Sequence, residues 1–442
     1  MACDKRFSSS YMLWSPEKVT VIDLFRILMS SDVHKRECVD SSKEGEESFK
    51  LLLLVAKPLS WSGSAVEFWL NLVSSNWSFR RLLVNCFRES GSFLSFPGNW
   101  DKRVELDKSI RPGDSEYYAA LSIMASKASY ENEAYLRTTV THHWQMEFLG
   151  FYNFWNDYQG KATTQAFMLR DHDTIMVAFR GTEPFDVDDW CSDLDLSWYE
   201  FLGVGKIHGG FMKALGLQKT LGWPKELDPR LKTPAPLAYY AIREKLRALL
   251  GENDKAKYIL TGHSLGGALA IIFAAILAMH GETGLMKRLE AVYTFGQPRV
   301  GDEKFGEFMG RALKEHEIEY FRFIYGNDIV PRLPYDNSAF MFKHFGSCCY
   351  FNSKYEGKLV REEPNRNYFS LRQTVPIMSN AWYELKRSFA ISREKGPDYR
   401  EGSFLRIFRV IGLLIPGITA HMFYDYVNAT RLGATQLFRH QQ

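Results

Sequence analysis

The sequence predicts an α/β protein with a mainly parallel central sheet flanked by helices. Short apolar segments that suit strands alternate with amphipathic segments that suit helices through the second half of the chain. A buried strand at residues 258–261 leads into a glycine-rich turn and then into an apolar helix that Gly281 stops. Polar residues with catalytic potential, Ser264 and Asp328, follow the ends of two predicted strands. In parallel sheets, functional sites lie at that edge.

Composition excludes several classes of function. The chain has 442 residues, of which 45% are hydrophobic and 15% aromatic, so it can bury a sizeable core. Its net charge of +3 is too small to indicate nucleic-acid binding. No zinc-type Cys/His spacing, P-loop or G-x-G-x-x-G fingerprint is present. We therefore predict no metal, no cofactor and no nucleic-acid partner.

The cysteines and the first residues indicate an intracellular protein. Six cysteines are scattered along a long chain, which is typical of reduced thiols and not of a disulfide framework. The opening MACDKRFSSS contains no apolar segment, so we expect no cleaved signal peptide.

Residues 1–110 are predicted to form a helical and hydrophobic N-terminal extension. Residues 19–29 suit a peripheral amphipathic helix, whereas residues 51–73, LLLLVAKPLSWSGSAVEFWLNLV, are strongly apolar but interrupted. Two short apolar arms with tryptophans nearby suit an interfacial anchor or hairpin better than a clean membrane span. We expect residues 51–77 to associate with a membrane or lipid droplet. The alternative is a helical pair packed on the catalytic domain.

Residues 111–442 are predicted to form the catalytic domain, with an insertion at about residues 351–402 that is polar and weakly patterned. An apolar run at residues 404–418 carries Arg406 and Arg409 and ends just before His421. The predicted strands are residues 164–170, 174–180, 258–261, 289–295 and 319–325, and the predicted helices are residues 114–132, 236–250 and 302–315 together with the helix that ends at Gly281.

The turn at residues 262–266, GHSLG, matches the G-x-S-x-G nucleophile elbow. Glycines on either side of Ser264 let the strand and the helix approach closely, so that the serine hydroxyl is presented at a sharp corner. The following helix N-terminus offers backbone N–H groups to a developing oxyanion. The alternative is a structural turn in which Ser264 only caps the helix.

A serine nucleophile needs a base and an acid that orients the base. Asp328 follows a predicted strand in YGNDIVP and is the favoured acid, although it also suits an Asx-turn. Asp302 is the rival, but its position ahead of a helix suits an N-cap. His421 is favoured as base because the break at Pro416 opens a loop before it, and His344 remains the alternative.

The oxyanion hole requires two backbone donors. The N–H of Leu265 supplies one in the elbow, and Thr182, which follows the strand ending in VAFRG, is predicted to supply the other. The next stretch, EPFDVDDWCSDLDLSW, mixes aromatic and acidic residues and could form a movable flap or an ordinary surface helix. His263 lies inside the turn and is expected to be structural.

Several of these motifs occur together. VAFRGT, IHGGF, TGHSLGGALA, TFGQPRVGD, YGNDIVPRLP and AHMFYDYV resemble, in order and spacing, the class 3 lipase family, and the N-terminal part resembles its plant oil-body triacylglycerol lipases. The resemblance implies an α/β-hydrolase fold, Ser264 as nucleophile, Asp328 as acid, His421 as base, and Thr182 with Leu265 at the oxyanion hole. The separation between Asp328 and His421 is longer than in the fungal members.

The resemblance implies a serine-dependent lipase that hydrolyses triacylglycerol, with diacyl- and monoacylglycerol as further substrates. The expected location is the cytosol-facing surface of lipid droplets, with the endoplasmic reticulum membrane as a second location. The alternatives are a phospholipase A1 or galactolipase, a lipase-like binding or signalling module, and a droplet coat protein. The binding modules of this kind carry a large helical domain after the lipase fold, which does not follow His421 here.

Overall fold

The computed structural model describes most of the catalytic domain and three short segments of the chain before it. The described residues are 7–14, 39–41, 101–181, 197–219, 221–228, 233–334, 342–366, 374–413 and 416–439. The predicted helix at residues 19–29, the apolar segment at residues 51–77 and residues 183–196 of the predicted flap at residues 183–198 lie outside them.

An eight-stranded sheet forms the centre of the molecule. Its spatial order is β12-β11-β10-β9-β8-β5-β4-β3, and the pairs from β5 through β11 are parallel, whereas β3, β4 and β12 join antiparallel at the edges. These strands are β3 (Glu147–Asn156), β4 (Lys161–Asp171), β5 (Thr174–Phe179), β8 (Lys257–His263), β9 (Leu289–Phe295), β10 (Glu319–Tyr325), β11 (Ser347–Phe351) and β12 (Gly357–Val360).

A second, antiparallel sheet was not predicted. It has four strands in the order β2-β1-β6-β7, and it joins the N-terminal part of the chain to the region after the predicted flap. These strands are β1 (Ser10–Trp14), β2 (Val39–Ser41), β6 (Trp198–Phe201) and β7 (Gly205–His208). The short β1 and β2 show no strong alternation of their own, and β1 pairs with β2 on one side and with β6 on the other.

Helices cover both faces of the main sheet. They are α1 (Tyr117–Ala128), α2 (Glu133–Thr138), α3 (Gly209–Leu215), α4 (Ala238–Gly251), α5 (Leu265–Met279), α6 (Thr283–Met286), α7 (Glu303–Glu315), α8 (Thr374–Lys395), α9 (Ser403–Ile411), α10 (Pro416–Thr419) and α11 (Phe423–Arg439). A π-helical turn (Thr139–His143) follows α2, and short 3-10 helices occur at Val330–Arg332 and Pro397–Tyr399.

The core consists of two layers of apolar side chains, one on each face of the sheet. In β5, Ile175 and Val177 point into the layer that includes α3, α4 and α5, whereas Met176 and Ala178 point into the layer that includes α1 and α11. Alternate strand residues face opposite sides, so a strand covered by helices on both faces must be apolar throughout. β5 is buried at every position, and the predicted α/β-hydrolase architecture is confirmed.

The predicted elements of the catalytic domain are confirmed with small shifts at their ends, except within residues 351–402. That segment contains β12 and the long helix α8, which the sequence pattern did not indicate. The reason is that burial on α8 does not follow polarity: Glu384 and Arg387 are buried beside apolar residues such as Ile391, whereas Trp382 and Phe389 are exposed. A search for apolar residues on the inner face of a helix cannot find such an element. Among the described residues, no helix is both long and apolar enough to cross a membrane.

Candidate active site

Ser264 occupies a strained corner between β8 and α5. Its backbone angles are φ 58° and ψ −129°, a conformation that residues with a side chain rarely adopt. The Ser264 N–H donates to the carbonyl of Phe295 at the end of β9, at 2.9 Å. The side chain makes no capping hydrogen bond to α5. The hydroxyl is therefore not used as a helix cap, which was the structural alternative for this serine.

The two glycines of the elbow have no room for a side chain. A Cβ on Gly262 would lie 2.1 Å from the carbonyl carbon of Gly266, and a Cβ on Gly266 would lie 2.3 Å from the carbonyl oxygen of Phe179. Both contacts are with backbone atoms, which cannot move aside cheaply. The close approach that the G-x-S-x-G motif predicts is present, because β5, β8 and α5 meet at these residues.

Asp328 and His421 form a buried hydrogen-bonded pair. His421 Nδ1 lies 2.7 Å from Asp328 Oδ2, and since a carboxylate can only accept, Nδ1 carries the proton. The hydroxyl of Tyr426 donates to the same Oδ2 at 2.6 Å, and the Val330 N–H donates to Oδ1 at 2.9 Å. Burial, with the Asp328 carboxylate adding to it, raises the pKa of Tyr426 well above its usual value. Tyr426 is therefore a neutral donor.

The pair lies directly beside the elbow. A Cβ on Gly296, the residue after Phe295, would lie 2.9 Å from His421 Cε1 and 3.0 Å from Asp328 Oδ2. Phe295 is the residue whose carbonyl accepts the Ser264 N–H. The glycine in TFGQPRVGD thus leaves the space that the imidazole occupies. Sequence reasoning singled out Ser264, Asp328 and His421, and the structure bonds Asp328 to His421 and places that pair beside the elbow that carries Ser264.

His263 forms a hydrogen bond with the backbone of His421. Its Nε2 lies 2.9 Å from the carbonyl oxygen of His421, which can only accept, so Nε2 is the protonated nitrogen. Burial, and then the neighbouring His421, hold the pKa of His263 well below its usual value. His263 is consequently a neutral residue that links the elbow to the loop of His421.

Asp302 and His344, the alternative acid and base, form hydrogen bonds outside the site. Asp302 Oδ1 accepts the N–H of Phe305 at 2.9 Å and that of Lys206 at 3.0 Å, which makes it the N-cap of α7. His344 Nε2 lies 2.6 Å from the carbonyl oxygen of Pro331. Burial lowers the pKa of His344 well below its usual value, and nearby arginines add to the effect.

Of the two predicted oxyanion donors, Leu265 lies within the described residues and Thr182 does not. As the first residue of α5, Leu265 has an N–H with no carbonyl partner within the helix. Thr182 lies outside the described residues. Gly181 precedes it and is packed tightly on the elbow, since a Cβ there would lie 2.4 Å from the carbonyl oxygen of His263. Among the described residues, no group of three His, Cys, Asp or Glu is placed to hold a metal ion.

Buried ions hold the acid and the base in place, and sequence reasoning missed most of them. Arg332 is fully buried and donates to the carbonyls of Asp328, Gly326 and Pro364. It therefore clamps both sides of the loop that carries Asp328. The remaining donor of this arginine, Nε, bonds the carbonyl of Asn365 at 2.8 Å.

A second group of buried ions lies behind His421, and we call it the ionic network. Arg409 Nε donates to Glu401 at 2.6 Å, and Arg409 Nη2 donates to Asp425 at 3.0 Å. Arg387 donates to Asp425 at 2.8 Å, and Glu384 accepts from the hydroxyl of Tyr325 at 2.9 Å. The interleaved arginines at residues 404–418 were the one sequence signal for this network, because a charge within an apolar helix needs a buried partner.

The chain is similar to known lipases over most of its length. A family model described as lipase (class 3) matches residues 176–338, a range that includes Ser264 and Asp328. The chain is 41% identical to triacylglycerol lipase OBL1 of Nicotiana tabacum, with 87% of this chain and 82% of the relative covered. It is 37% identical to triacylglycerol lipase OBL1 of Arabidopsis thaliana, with 96% and 95% covered.

Among solved structures, the Rhizomucor miehei lipase propeptide complex is 25% identical, with 55% of this chain and 70% of that chain covered and a TM-score of 0.38. The two plant relatives are 41% and 37% identical to this chain, and each match covers at least 82% of both proteins. The chain therefore belongs to the class 3 lipase family, and it is a carboxylic ester hydrolase.

Proposed function

We propose that the protein is a serine-dependent triacylglycerol lipase that works through an acyl-enzyme at the surface of lipid droplets. The observation that carries the catalytic part is the 2.7 Å hydrogen bond between His421 Nδ1 and Asp328 Oδ2, beside a serine held in a strained turn. The plant relatives named triacylglycerol lipase support the substrate.

The protonation of His421 suits a general base. Because Nδ1 donates its proton to Asp328, the other ring nitrogen, Nε2, has a lone pair available for the proton of Ser264. Asp328 keeps this tautomer and stabilises the imidazolium that forms. Tyr426 adds a second donor to the same carboxylate oxygen, so the carboxylate is fixed in orientation.

The reaction follows in two steps. Ser264 Oγ gives its proton to His421 Nε2 and attacks the ester carbonyl, and the resulting oxyanion accepts from the N–H groups of Leu265 and Thr182. His421 then protonates the departing diacylglycerol oxygen, which leaves an acyl group on Ser264. Water, deprotonated by His421, attacks that ester, and the fatty acid leaves as Ser264 regains its proton.

The lipid-droplet part of the proposal depends on the sequence of residues 51–77. An apolar segment interrupted by polar residues and flanked by tryptophans suits insertion into the outer layer of a droplet from the cytosolic side. The endoplasmic reticulum membrane presents the same chemistry and is a second location. Deleting residues 51–73 from the full chain should lower the share of protein that floats with isolated droplets.

The test is fatty-acid release from emulsified trioleoylglycerol and from phosphatidylcholine, measured side by side with wild-type and Ser264→Ala protein. We expect release from the neutral oil, with a loss of about 10⁴-fold or more in the variant because the nucleophile is gone. The matched control is Ser115→Ala, an exposed serine outside the elbow that should retain full activity. Release mainly from phosphatidylcholine would replace the substrate with that of a phospholipase, and release unaffected by Ser264→Ala would overturn the mechanism.

A further inference from the structure

The outer face of α8 carries large apolar side chains that no described residue covers. Val375, Trp382 and Phe389 are 77%, 51% and 58% exposed, and they recur every seven residues, so they lie along one face of the helix. Exposing three large apolar groups in a row on a folded domain is unfavourable in water. A contiguous apolar stripe of this kind marks an interaction surface.

The neighbouring helix extends this surface. On α9, Ile407 and Val410 are 57% and 53% exposed. The two helices pack on each other, and the guanidinium of Arg406 lies 4.6 Å from the centroid of the Phe389 ring, which joins the two exposed rows. We call the five apolar residues of α8 and α9 the docking face: Val375, Trp382, Phe389, Ile407 and Val410.

Cations lie between the apolar residues of the docking face. Lys386 lies four residues after Trp382 and three before Phe389, and Arg393 lies four residues after Phe389. Both cations are exposed and lie on the same side of α8 as the two aromatic residues. The carboxylates of α8 are Glu384, which is buried, and Glu394, which is exposed. The outer side of the helix therefore combines apolar groups with a positive charge.

The inner sides of the same helices are fixed to the catalytic residues. Arg387 of α8 and Arg409 of α9 both donate to Asp425, which lies in the first turn of α11, the helix that follows His421. α10 lies between α9 and His421, and the carbonyl of Gly417 within it accepts the N–H of Ile329, next to Asp328, at 3.3 Å. The docking face thus has a defined orientation relative to the site.

We propose that the docking face binds a phosphate-bearing lipid monolayer, with the apolar side chains among the acyl chains and Lys386 and Arg393 at the phosphates. This inference depends on the proposed function, since a droplet is covered by such a monolayer. Tryptophan and phenylalanine beside basic residues are the groups that partition into a lipid interface. The ionic network then holds the catalytic residues at a fixed position above the lipid.

Two other occupants fit less well. A second copy of the chain packed on the same face by two-fold symmetry would bring Lys386 and Arg393 close to their own counterparts, which is unfavourable. The apolar residues 51–73 of this chain contain one acid and one base, Glu67 and Lys57, so they offer little net charge to the two cations.

The test uses the full chain and artificial droplets of trioleoylglycerol coated with phosphatidylcholine, with or without phosphatidylserine. The main variant carries Val375→Ser, Trp382→Ser and Phe389→Ser together, and the control is Leu202→Ser, which removes a 95% exposed leucine outside the docking face. Flotation measures binding, and hydrolysis of a soluble short-chain ester measures the catalytic site. We expect the triple variant to lose about tenfold in droplet binding and in trioleoylglycerol hydrolysis while its soluble-ester activity is unchanged.

A second variant covers the case in which the triple variant fails to fold. Lys386→Glu with Arg393→Glu changes exposed positions only, and it should weaken binding most on the droplets that contain phosphatidylserine. Wild-type binding by both variants would overturn the proposal. Conversion of a wild-type dimer into a monomer by the triple variant would replace it with self-association.

Two further results separate the docking face from the other claims. If the triple variant keeps droplet binding but unfolds at a lower temperature, a segment of the chain itself covers the face, and the proposal is wrong. Wild-type protein that floats with droplets but hydrolyses no lipid, together with a triple variant that no longer floats, would remove the proposed function and leave the docking face supported. If the wild type hydrolyses trioleoylglycerol and the triple variant binds droplets and hydrolyses this lipid equally well, the proposed function is supported and the docking face is ruled out.

Discussion

The turn that carries Ser264 and the segments that carry Asp328 and His421 are held in place by different interactions. The elbow lies within one stretch of chain, from β8 to α5, and its shape follows from backbone contacts between glycines. No ionised side chain is needed there. The acid and the base are 93 residues apart, and they are held by buried arginines and carboxylates from several elements.

This difference predicts which kind of change disrupts each half of the site. Backbone contacts at van der Waals distance tolerate no added atom, so the elbow fails through steric overlap. Buried ions stabilise only as complete sets, so the acid and base side fails through an unpaired charge or through a change of protonation. The predictions below address the two halves in turn.

The largest effect is expected in the elbow, from Gly262→Ala. The new methyl group would lie 2.1 Å from the carbonyl carbon of Gly266 and 2.6 Å from the N of Gly267. Because the contacts are backbone, the turn must open, and we expect a loss of about 5 kcal/mol in the free energy of unfolding. Ester hydrolysis should fall at least about 100-fold. Chemical denaturation and a soluble-ester assay measure the two quantities.

The control for the elbow is Gly284→Ala in α6, where a Cβ would meet nothing within 4 Å. That variant should match the wild type within about 1 kcal/mol. Retention of activity and stability by Gly262→Ala would show that the close approach of strand and helix is not required, and the contrast between the two halves would disappear.

The next largest effect is expected in the ionic network, from Arg409→Met. The substitution keeps most of the side-chain volume but leaves Glu401, Asp425 and Glu384 without their shared cation. Breaking a buried ion set in this way costs about 3–5 kcal/mol. Thermal and urea unfolding should show this loss of stability. The control Arg311→Met, at an exposed position of α7, should lose almost no stability. Equal effects for the two arginines would contradict the assigned role of the network.

The two halves also differ in how far sequence could predict them. The elbow, the strand that precedes it and the helix that follows were predicted in place, because a local motif and a local apolar pattern specify them. The acid and the base were selected by their order along the chain, by the breaks beside them and, for His421, by the resemblance to the class 3 lipase family. No residue pattern specifies which distant side chains bond Asp328, so Tyr426 and Arg332 could not be predicted.

The helix α8 shows the limit most clearly. Apolar and charged residues occur on both of its faces: Ile391 and Glu384 are buried, whereas Trp382 and Lys386 are exposed. The single apolar stripe on which helix prediction depends is therefore missing. Sequence therefore assigned residues 351–402 to a weakly patterned insertion. Its buried ions also pair with residues far along the chain, as Arg387 does with Asp425, and such pairs leave no periodicity in the sequence.

The smallest effect is a dependence on pH from Glu384 of the ionic network. Burial raises the pKa of this carboxyl from 4.5 to about 7, with Asp425 adding to the effect and two arginines opposing it. The ionisable groups that face it are Arg387, Arg409, Asp425 and Tyr325. Arg409 is the nearest cation, at 3.6 Å from Oε2. Glu384 thus holds a proton over a pH range in which the unfolded chain has lost it.

The sign of the pH effect follows from that proton. Between about pH 4.5 and pH 7, unfolding releases the proton of Glu384, so the stability that this group contributes is full below pH 4.5 and declines as the pH rises to 7. Relative to Glu384→Gln, the wild type should lose up to about 3 kcal/mol across this range, at 1.36 kcal/mol per pKa unit. Urea unfolding of both proteins at several pH values measures the difference, and Glu394→Gln, at an exposed position of the same helix, should leave the wild-type dependence intact. A constant difference between wild type and Glu384→Gln would mean that the carboxyl is ionised throughout. In that case the ionic network would carry three carboxylates and two guanidinium groups at every pH, and the acid and base side of the site would be as insensitive to protonation as the elbow.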